Sequence, residues 1–381
     1  MSISLSELLV LGQGSDLASE RGVSCTGELP PASDPHLVER AIAARAALGS
    51  RALILGHHYQ RDEVIQFADI TGDSFKLAQS AAAQSTAEFI FFCGVHFMAE
   101  SADILTSSKQ RVILPDLAAG CSMADMATAN QVNQCWQDLE KLGVASRTVP
   151  VTYMNSSAAI KAFTGEHGGT ICTSSNAQKT LEWAFAKAEK VLFLPDQHLG
   201  RNTAVLFLGL SLDDCVLWNP WKPMGGLTED EIRAAKMILW RGHCSVHGRF
   251  TRESIQEVRT RVPGVKVIVH PECQHEVVVD SDVVGSTEKI IQTVSASPAG
   301  SKWAIGTELN LVSRLAQNNP DKEIVFLDKS VCYCSTMNRI DLPHLVWAME
   351  SIVAGHIVNE IKVDERIARF SKLALEQMLA L

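Results

Sequence analysis

"ILPDLAAGCSMAD" (residues 113–125) carries a short apolar run, Val112 to Pro115, into a small-residue turn, Ala118-Ala119-Gly120, and sets a lone cysteine, Cys121, at its tip. Ser122, Ala124 and Asp125 can open a helix. An apolar strand that ends in small residues just before a helix is half of a βα unit. Ligand groups in such folds sit at the carboxyl ends of the strands. Cys121 has no second cysteine two residues away, so any partner of its thiol must come from elsewhere in the chain.

Working outward, the same pattern recurs. "RALILGHHYQ" (51–60), "DITGDSFKLAQSAA" (69–82) and "EFIFFCGVHFMAES" (88–101) precede it. "TVPVTYMNSSAAIKAF" (148–163), "TICTSSNAQKTLEWAF" (170–185), "KVLFLPDQHLGRNTA" (190–204) and "CVLWNPWKP" (215–223) follow. Then come "VKVIVHPECQHEV" (265–277), "SDVVGSTEKIIQTV" (281–294), "SKWAIGTELNLVSRL" (301–315) and "EIVFLDKSVCYCS" (324–335). Strand ends fall about 15 to 30 residues apart, one βα unit each. Apolar strands alternating with helices predict an α/β fold with parallel sheets covered by helices. The polar tips also repeat in threes, with a period of roughly 90 to 120 residues. His57-His58-Tyr59, Tyr153-Met154-Asn155 and His270-Pro271-Glu272 end the first strand of each set. Gly72-Asp73-Ser74, Thr173-Ser174-Ser175 and Gly285-Ser286-Thr287 end the second, and a cysteine closes each set: Cys121, Cys244 and Cys334. Three similar βα domains aiming their strand tips at one centre would produce this, although small polar residues end the strands of βα proteins generally.

Composition excludes several classes. A length of 381 residues fits about two to three domains. The net charge of −9 argues against nucleic acid or an anionic membrane as the main partner. No stretch approaches the roughly 18 apolar residues of a membrane-spanning helix. The start, "MSISLSELLVLGQG", lacks the basic flank and cleavage site of a secretory signal, and the cytoplasm is the expected compartment. Of the ten cysteines, none forms a Cys-x-x-Cys pair, which disfavours zinc ribbons, thioredoxin motifs and bacterial ferredoxin runs.

Three sets of residues carry the candidate chemistry. Cys121, Cys244 and Cys334, one per set, are three thiolates that could hold an iron–sulfur cluster with one iron left open; a three-cysteine zinc site and inert buried thiols are the alternatives. Ser74, Ser174 and Ser286-Thr287 stand where helices begin, suited either to binding a carboxylate or phosphate or to capping the helix. His57, Tyr59, His270 and Glu272 are acid–base candidates. Residues two apart on a strand face one side, so His57 with Tyr59, Tyr153 with Asn155, and His270 with Glu272 are each expected to aim into one space.

"GHHYQ", "TGDS", "GVHFMAES", "ILPDLAAGCSMAD", "YMNSSAAIKA", "CTSSNA", "LPDQHLGRN", "HPEC", "GSTEKII", "GTE" and "CSTMN", in this order from about residue 50 to 340, resemble the quinolinate synthase family of iron–sulfur enzymes of de novo NAD synthesis. The resemblance implies three pseudo-symmetric αβα domains with short parallel sheets around a central active site. Their expected bounds are 36–121, 122–244 and 245–335, with residues 1–35 as a flexible lead-in and 336–381 packing back on the first domain. It implies a [4Fe–4S] cluster on Cys121, Cys244 and Cys334, and substrate contacts at His57, Ser74, Tyr153, Met154, Asn155, Ser174, His270, Pro271, Glu272 and Thr287. The implied substrates are iminoaspartate and dihydroxyacetone phosphate, and a transient contact with the L-aspartate oxidase that supplies the imine is a further expectation. Glu272, His270, Tyr59 and His57 are the expected catalytic residues. An aconitase-type hydro-lyase is the alternative chemistry for an open iron. Cys332-Tyr333-Cys334 departs from the Cys-x-x-Cys-x-x-Cys run that lets some members form a regulatory disulfide.

Overall fold

A computed structural model of the chain describes residues 29–83, 86–330 and 333–381. Cys332 and most of the expected lead-in lie outside the described residues. The protein is α/β, with three short parallel sheets flanked by helices. It divides into two compact units, one running through Asp125 and resuming at Cys334–Val363, the other comprising Met126–Tyr333 and Asp364–Leu381.

In the first unit, β1 (Ala52–His57), β2 (Ile70–Gly72), β3 (Phe89–Cys93) and β4 (Arg111–Ile113) lie parallel in the order β4-β3-β1-β2. Every residue of β1 and β3 is buried. That is why these strands read as unbroken apolar runs instead of alternating ones: a parallel sheet is covered on both faces.

In the second unit, β5 (Thr148–Tyr153), β6 (Thr170–Cys172), β7 (Lys190–Leu194), β8 (Cys215–Trp218) and β9 (Met237–Trp240) form a sheet in the order β6-β5-β7-β9-β8. A third sheet follows, with β10 (Lys266–Val269), β11 (Val283–Val284), β12 (Lys302–Gly306) and β13 (Glu323–Phe326) in the order β11-β10-β12-β13.

The three sheets share one plan. The first strand lies between the second and the third, and a fourth lies beyond the third. In the second sheet β9 takes that fourth place, and β8 is an extra edge strand. The regular repeat read from the tips conceals this insertion, because "CVLWNPWKP" scans as one more βα unit. In each sheet the chain leaves the first strand toward one side and reaches the third on the other. This leaves a crevice at their carboxyl ends, the place where open α/β sheets bind ligands.

The C-terminal segment divides between the units. Helix Leu342–Val353 packs on helix Leu37–Leu48 in the first unit, where Arg40 bridges Asp34 at 2.8 Å and Glu350 at 2.6 Å. A last strand, β14 (Glu360–Ile361), adds antiparallel to β4. Helix Glu365–Ala380 corrects the expectation for 336–381, because it packs on helix Ala158–Glu166 of the second unit. The reason is a close approach at Gly165, where an added Cβ would stand 2.0 Å from the Phe370 carbonyl oxygen. Ser371 Oγ donates to the Ala158 carbonyl at 2.8 Å, and Ala374, Leu375 and Met378 are buried there. Among the described residues no helix is long and apolar enough to cross a membrane.

Candidate active site

Cys121, Cys244 and Cys334 occupy the same local structure three times. Each carbonyl accepts the N–H of the residue four positions on: Asp125 at 3.2 Å, Gly248 at 2.9 Å and Asn338 at 3.0 Å. Each is followed, three residues later, by a single 3-10 turn: Ala124–Met126, His247–Arg249 and Met337–Arg339. All three cysteines are half-buried. Cys93, Cys135, Cys172 and Cys273 differ: they are fully buried, and desolvation raises their thiols, Cys93 to about 12. Half-buried Cys215 is also raised by burial, to about 11. A thiol must ionise to bind a metal, so these five are poor donors.

The first strands end in a second recurring motif. The Tyr59 N–H donates to His57 Nδ1 at 3.1 Å, and the Glu272 N–H donates to His270 Nδ1 at 3.3 Å. The His57 and His270 carbonyls accept from Gln60 (2.9 Å) and Cys273 (3.0 Å). With Nδ1 accepting, the neutral ring carries its proton on Nε2, the nitrogen away from the turn. β1 stops at His57, β5 at Tyr153 and β10 at Val269. Tyr59, Asn155 and Glu272 are therefore past the strands, and strand alternation does not set their direction. At His57 and His270 the turn does so instead, standing the Tyr59 ring edge-on to His57 at 4.7 Å.

Within the second unit the structure gathers Tyr153, Cys244, His270 and Glu272, and adds His247. The ligand atoms of Cys244, His247 and Glu272 lie within 4.8 Å of one another. His247 Nδ1 lies 2.7 Å from Glu272 Oε2. Its Nε2 meets Thr307 Oγ1 at 3.1 Å, and its ring stacks on His270 at 4.5 Å. Burial pushes the Glu272 carboxyl up, but His247, His270 and a Tyr153 hydrogen bond together outweigh it and hold it down at about 2. Burial, aided by His247, lowers His270 to about 3, so its Nε2–H is a neutral donor at physiological pH. Asp196, at the tip following β7, goes the other way. Burial and the charge of Glu272 push it well above the carboxylate range, against hydrogen bonds from the Leu199 and His198 N–H groups. The two buried carboxyls are thus shifted in opposite directions.

Sequence reading left His247 unassigned and did not nominate Asp196. The available signal for His247 was Cys244-x-x-His247, which places the imidazole on the cysteine's own turn. Asn202 gave no local signal. It lies fully buried on helix Gln197–Leu208, and its Nδ2 donates to the carbonyls of Pro271 (2.8 Å) and Cys273 (2.9 Å), the residues on either side of Glu272. Its Oδ1 accepts from His275 Nδ1 at 2.8 Å.

At two of the helix starts a capping side chain and the expected binding hydroxyl occupy neighbouring positions, and in the loop before helix Ala177–Lys187 a turn takes that place. Asp73 Oδ1 takes the Lys76 N–H (2.9 Å), Thr173 Oγ1 the Ser175 N–H (3.3 Å) and Ser286 Oγ the Lys289 N–H (3.3 Å). Ser74, Ser174 and Thr287 each follow by one residue. Ser286 is therefore the cap of helix Thr287–Ala296. Ser174, Pro271, Ser286 and Lys289 line a cleft of about 230 Å³ in the second unit. Met154 is buried, and Asn155 keeps a buried Oδ1 with no partner among the described residues. His57, Tyr59, Ser74, Cys121 and Cys334 belong to the first unit; the other expected residues belong to the second.

A family model described as "NadA: Quinolinate synthetase A protein" matches residues 40–380. A curated protein of Streptomyces coelicolor named quinolinate synthase is 69% identical over 98% of this chain and 95% of its own. Proteins of the same name from Nocardioides sp. (67%, covering 100% of this chain and 98% of that one) and Geobacillus kaustophilus (57%, 91% and 94%) are also similar.

Proposed function

The chain belongs to the quinolinate synthetase A family of enzymes, and on that premise we propose that it condenses iminoaspartate with dihydroxyacetone phosphate to quinolinate, releasing phosphate and two waters, in cytoplasmic NAD biosynthesis. The atoms balance without an oxidant or reductant. The observation that carries the reading is the thrice-repeated cysteine turn. Soft thiolates suit an iron–sulfur cluster, and Cys121, Cys244 and Cys334 are half-buried donors in matching geometry, one on the segment closing each set. They are the residues that would hold a [4Fe–4S] cluster. When bound, the cluster would supply an open iron acting as a Lewis acid. We also retain the division into domains 36–121, 122–244 and 245–335 as part of this proposal.

The protein's own groups then divide the work. Ser74, Ser174 and Thr287 bind carboxylates or phosphate near helix N-termini. His57 and His270 donate from Nε2 to substrate oxygen, His270 while staying neutral. The buried, unpartnered Asn155 Oδ1 accepts the imine N–H, oriented with Tyr153. Glu272 and His247 act as a dyad. Glu272 alone is held too acidic for an efficient base, and the His247 imidazole lies against it at 2.7 Å. Tyr59, edge-on to His57, serves proton transfer.

The test is to purify the protein without oxygen and count iron and acid-labile sulfide. About four of each per chain, lost in Cys121→Ala, Cys244→Ala and Cys334→Ala but kept in Cys135→Ala, with quinolinate formed only when both substrates are present, is the expected result. Zinc without sulfide, or turnover of a hydroxy acid without the triose phosphate, would overturn it.

A further inference from the structure

We infer that the Asp116–Arg339 ion pair is a positioning device that fixes the Cys334 turn against the Cys121 loop and so presets two of the three cluster thiols; this rests on the proposed cluster reading. Asp116 stands five residues before Cys121 and is 4% exposed. Its Oδ1 accepts the Ala118 N–H at 2.9 Å and its carbonyl the Ala119 N–H at 3.0 Å, which builds it into the loop that carries the cysteine. Its other oxygen takes Arg339 Nε at 2.9 Å, and His344 Nε2 stands 3.8 Å away. Arg339 is the last residue of the 3-10 turn after Cys334. The other two residues of that turn are also held. Gln60 Nε2 donates to the Met337 carbonyl at 3.2 Å, and Arg61 Nε to the Asn338 carbonyl at 3.1 Å. The turn is thereby fastened to the loop bearing His57 and Tyr59 on one side and to the loop bearing Cys121 on the other, all within the first unit.

The position five past the cysteine works the same way elsewhere. Five past Cys121, the Met126 carbonyl accepts from Trp240 Nε1 at 2.7 Å and its Sδ from the His243 N–H at 3.4 Å, on the segment that carries Cys244. Five past Cys244 is Arg249. Its charge helps hold Asp328, six before Cys334, below the carboxylate range, after burial, which opposes this, and hydrogen bonds from Ser330 and Ser254. Arg339 on buried Asp116 is the charged, directly bonded case. Partners behind the ligands of a metal site commonly change its affinity about 10- to 100-fold when removed.

The experiment uses the anaerobically reconstituted full chain and follows iron release to a colorimetric chelator, with thermal unfolding alongside. Arg339→Gln and Asp116→Asn should shorten the release half-time about 10- to 100-fold, with Arg339→Lys in between. Glu350→Gln, which breaks the Arg40 pair of the same unit away from the cysteine turns, should leave release within about twofold. If the neutral variants do not fold, Arg339→Lys carries the comparison. Release at the wild-type rate in the Arg339 and Asp116 variants, with only a lowered thermal midpoint, would overturn the inference and leave the proposed function intact. A wild-type chain that takes up no iron would overturn both.

Discussion

Asn202 makes a sharp claim on the active site, because one amide holds both carbonyls that flank Glu272. Asn202→Ala removes that donor. Each buried carbonyl left short costs about 1–3 kcal/mol, so the pair should cost about 2–6 kcal/mol, or roughly 4–24 °C in thermal midpoint at about 2–4 °C per kcal/mol. His275, half-buried, can turn to water and adds little. Asn202→Asp keeps the shape but presents an oxygen to two oxygens, and should be no better than alanine. The functional effect should exceed the stability effect at temperatures where the variant is folded. A shift of about 1 Å in a catalytic group can cost about 100-fold in rate, so kcat for quinolinate formation should fall while KM changes little. Anaerobic steady-state kinetics and a urea titration on the same preparation decide it. An Asn202→Asp protein with wild-type midpoint and kcat would show that the turn around Glu272 stands without the clamp.

Glu272→Gln should lower kcat by about 100-fold or more with KM nearly unchanged; unaltered kcat would remove Glu272 from the proton transfers. His198 is lowered to about 4 by burial first and then by the charges of Arg201 and His243. Below its ordinary 6.5 the unfolded chain binds a proton that the fold refuses, so stability is full above 6.5 and lost as pH falls from 6.5 through about 4. Urea midpoints at about pH 7.5 and pH 5 should converge in His198→Gln relative to wild type, and equal slopes in both proteins would contradict this. Gly165→Ala drives a methyl against the Phe370 carbonyl and should cost about 1–3 kcal/mol, visible as earlier proteolysis of helix Glu365–Ala380; an unchanged digestion pattern would show that the helices can part without penalty.

Local pattern made the architecture legible. Buried parallel strands are unbroken apolar runs, and their ends are marked by small residues, so the three sets of tips could be aligned by eye. What failed were inferences about direction and distance. His57 and Tyr59 converge, but through a turn whose N–H reaches a ring nitrogen, and spacing does not encode that bond. β8 looked like any other strand because an insertion at a sheet edge carries the same composition as a strand at its centre. Asp196 and Asn202 act on a residue about 70 positions away, and nothing beside them in the chain announces it. The last helix is amphipathic, a pattern that states that it packs, not on what. Only Gly165, a small residue on another helix, records the partner.

The one-residue offset at the helix starts has a consequence for how the protein can vary. Asp73 and Ser286 cap the helices that follow them, and Thr173 closes the loop before its helix. A change at 74 or 287 can therefore alter what is bound while the cap stays in place, whereas a change at 73 or 286 loosens the helix whatever is bound, and one at 173 loosens the loop that carries Ser174. Affinity and foldedness are written at separate addresses, so selection can tune one without trading against the other.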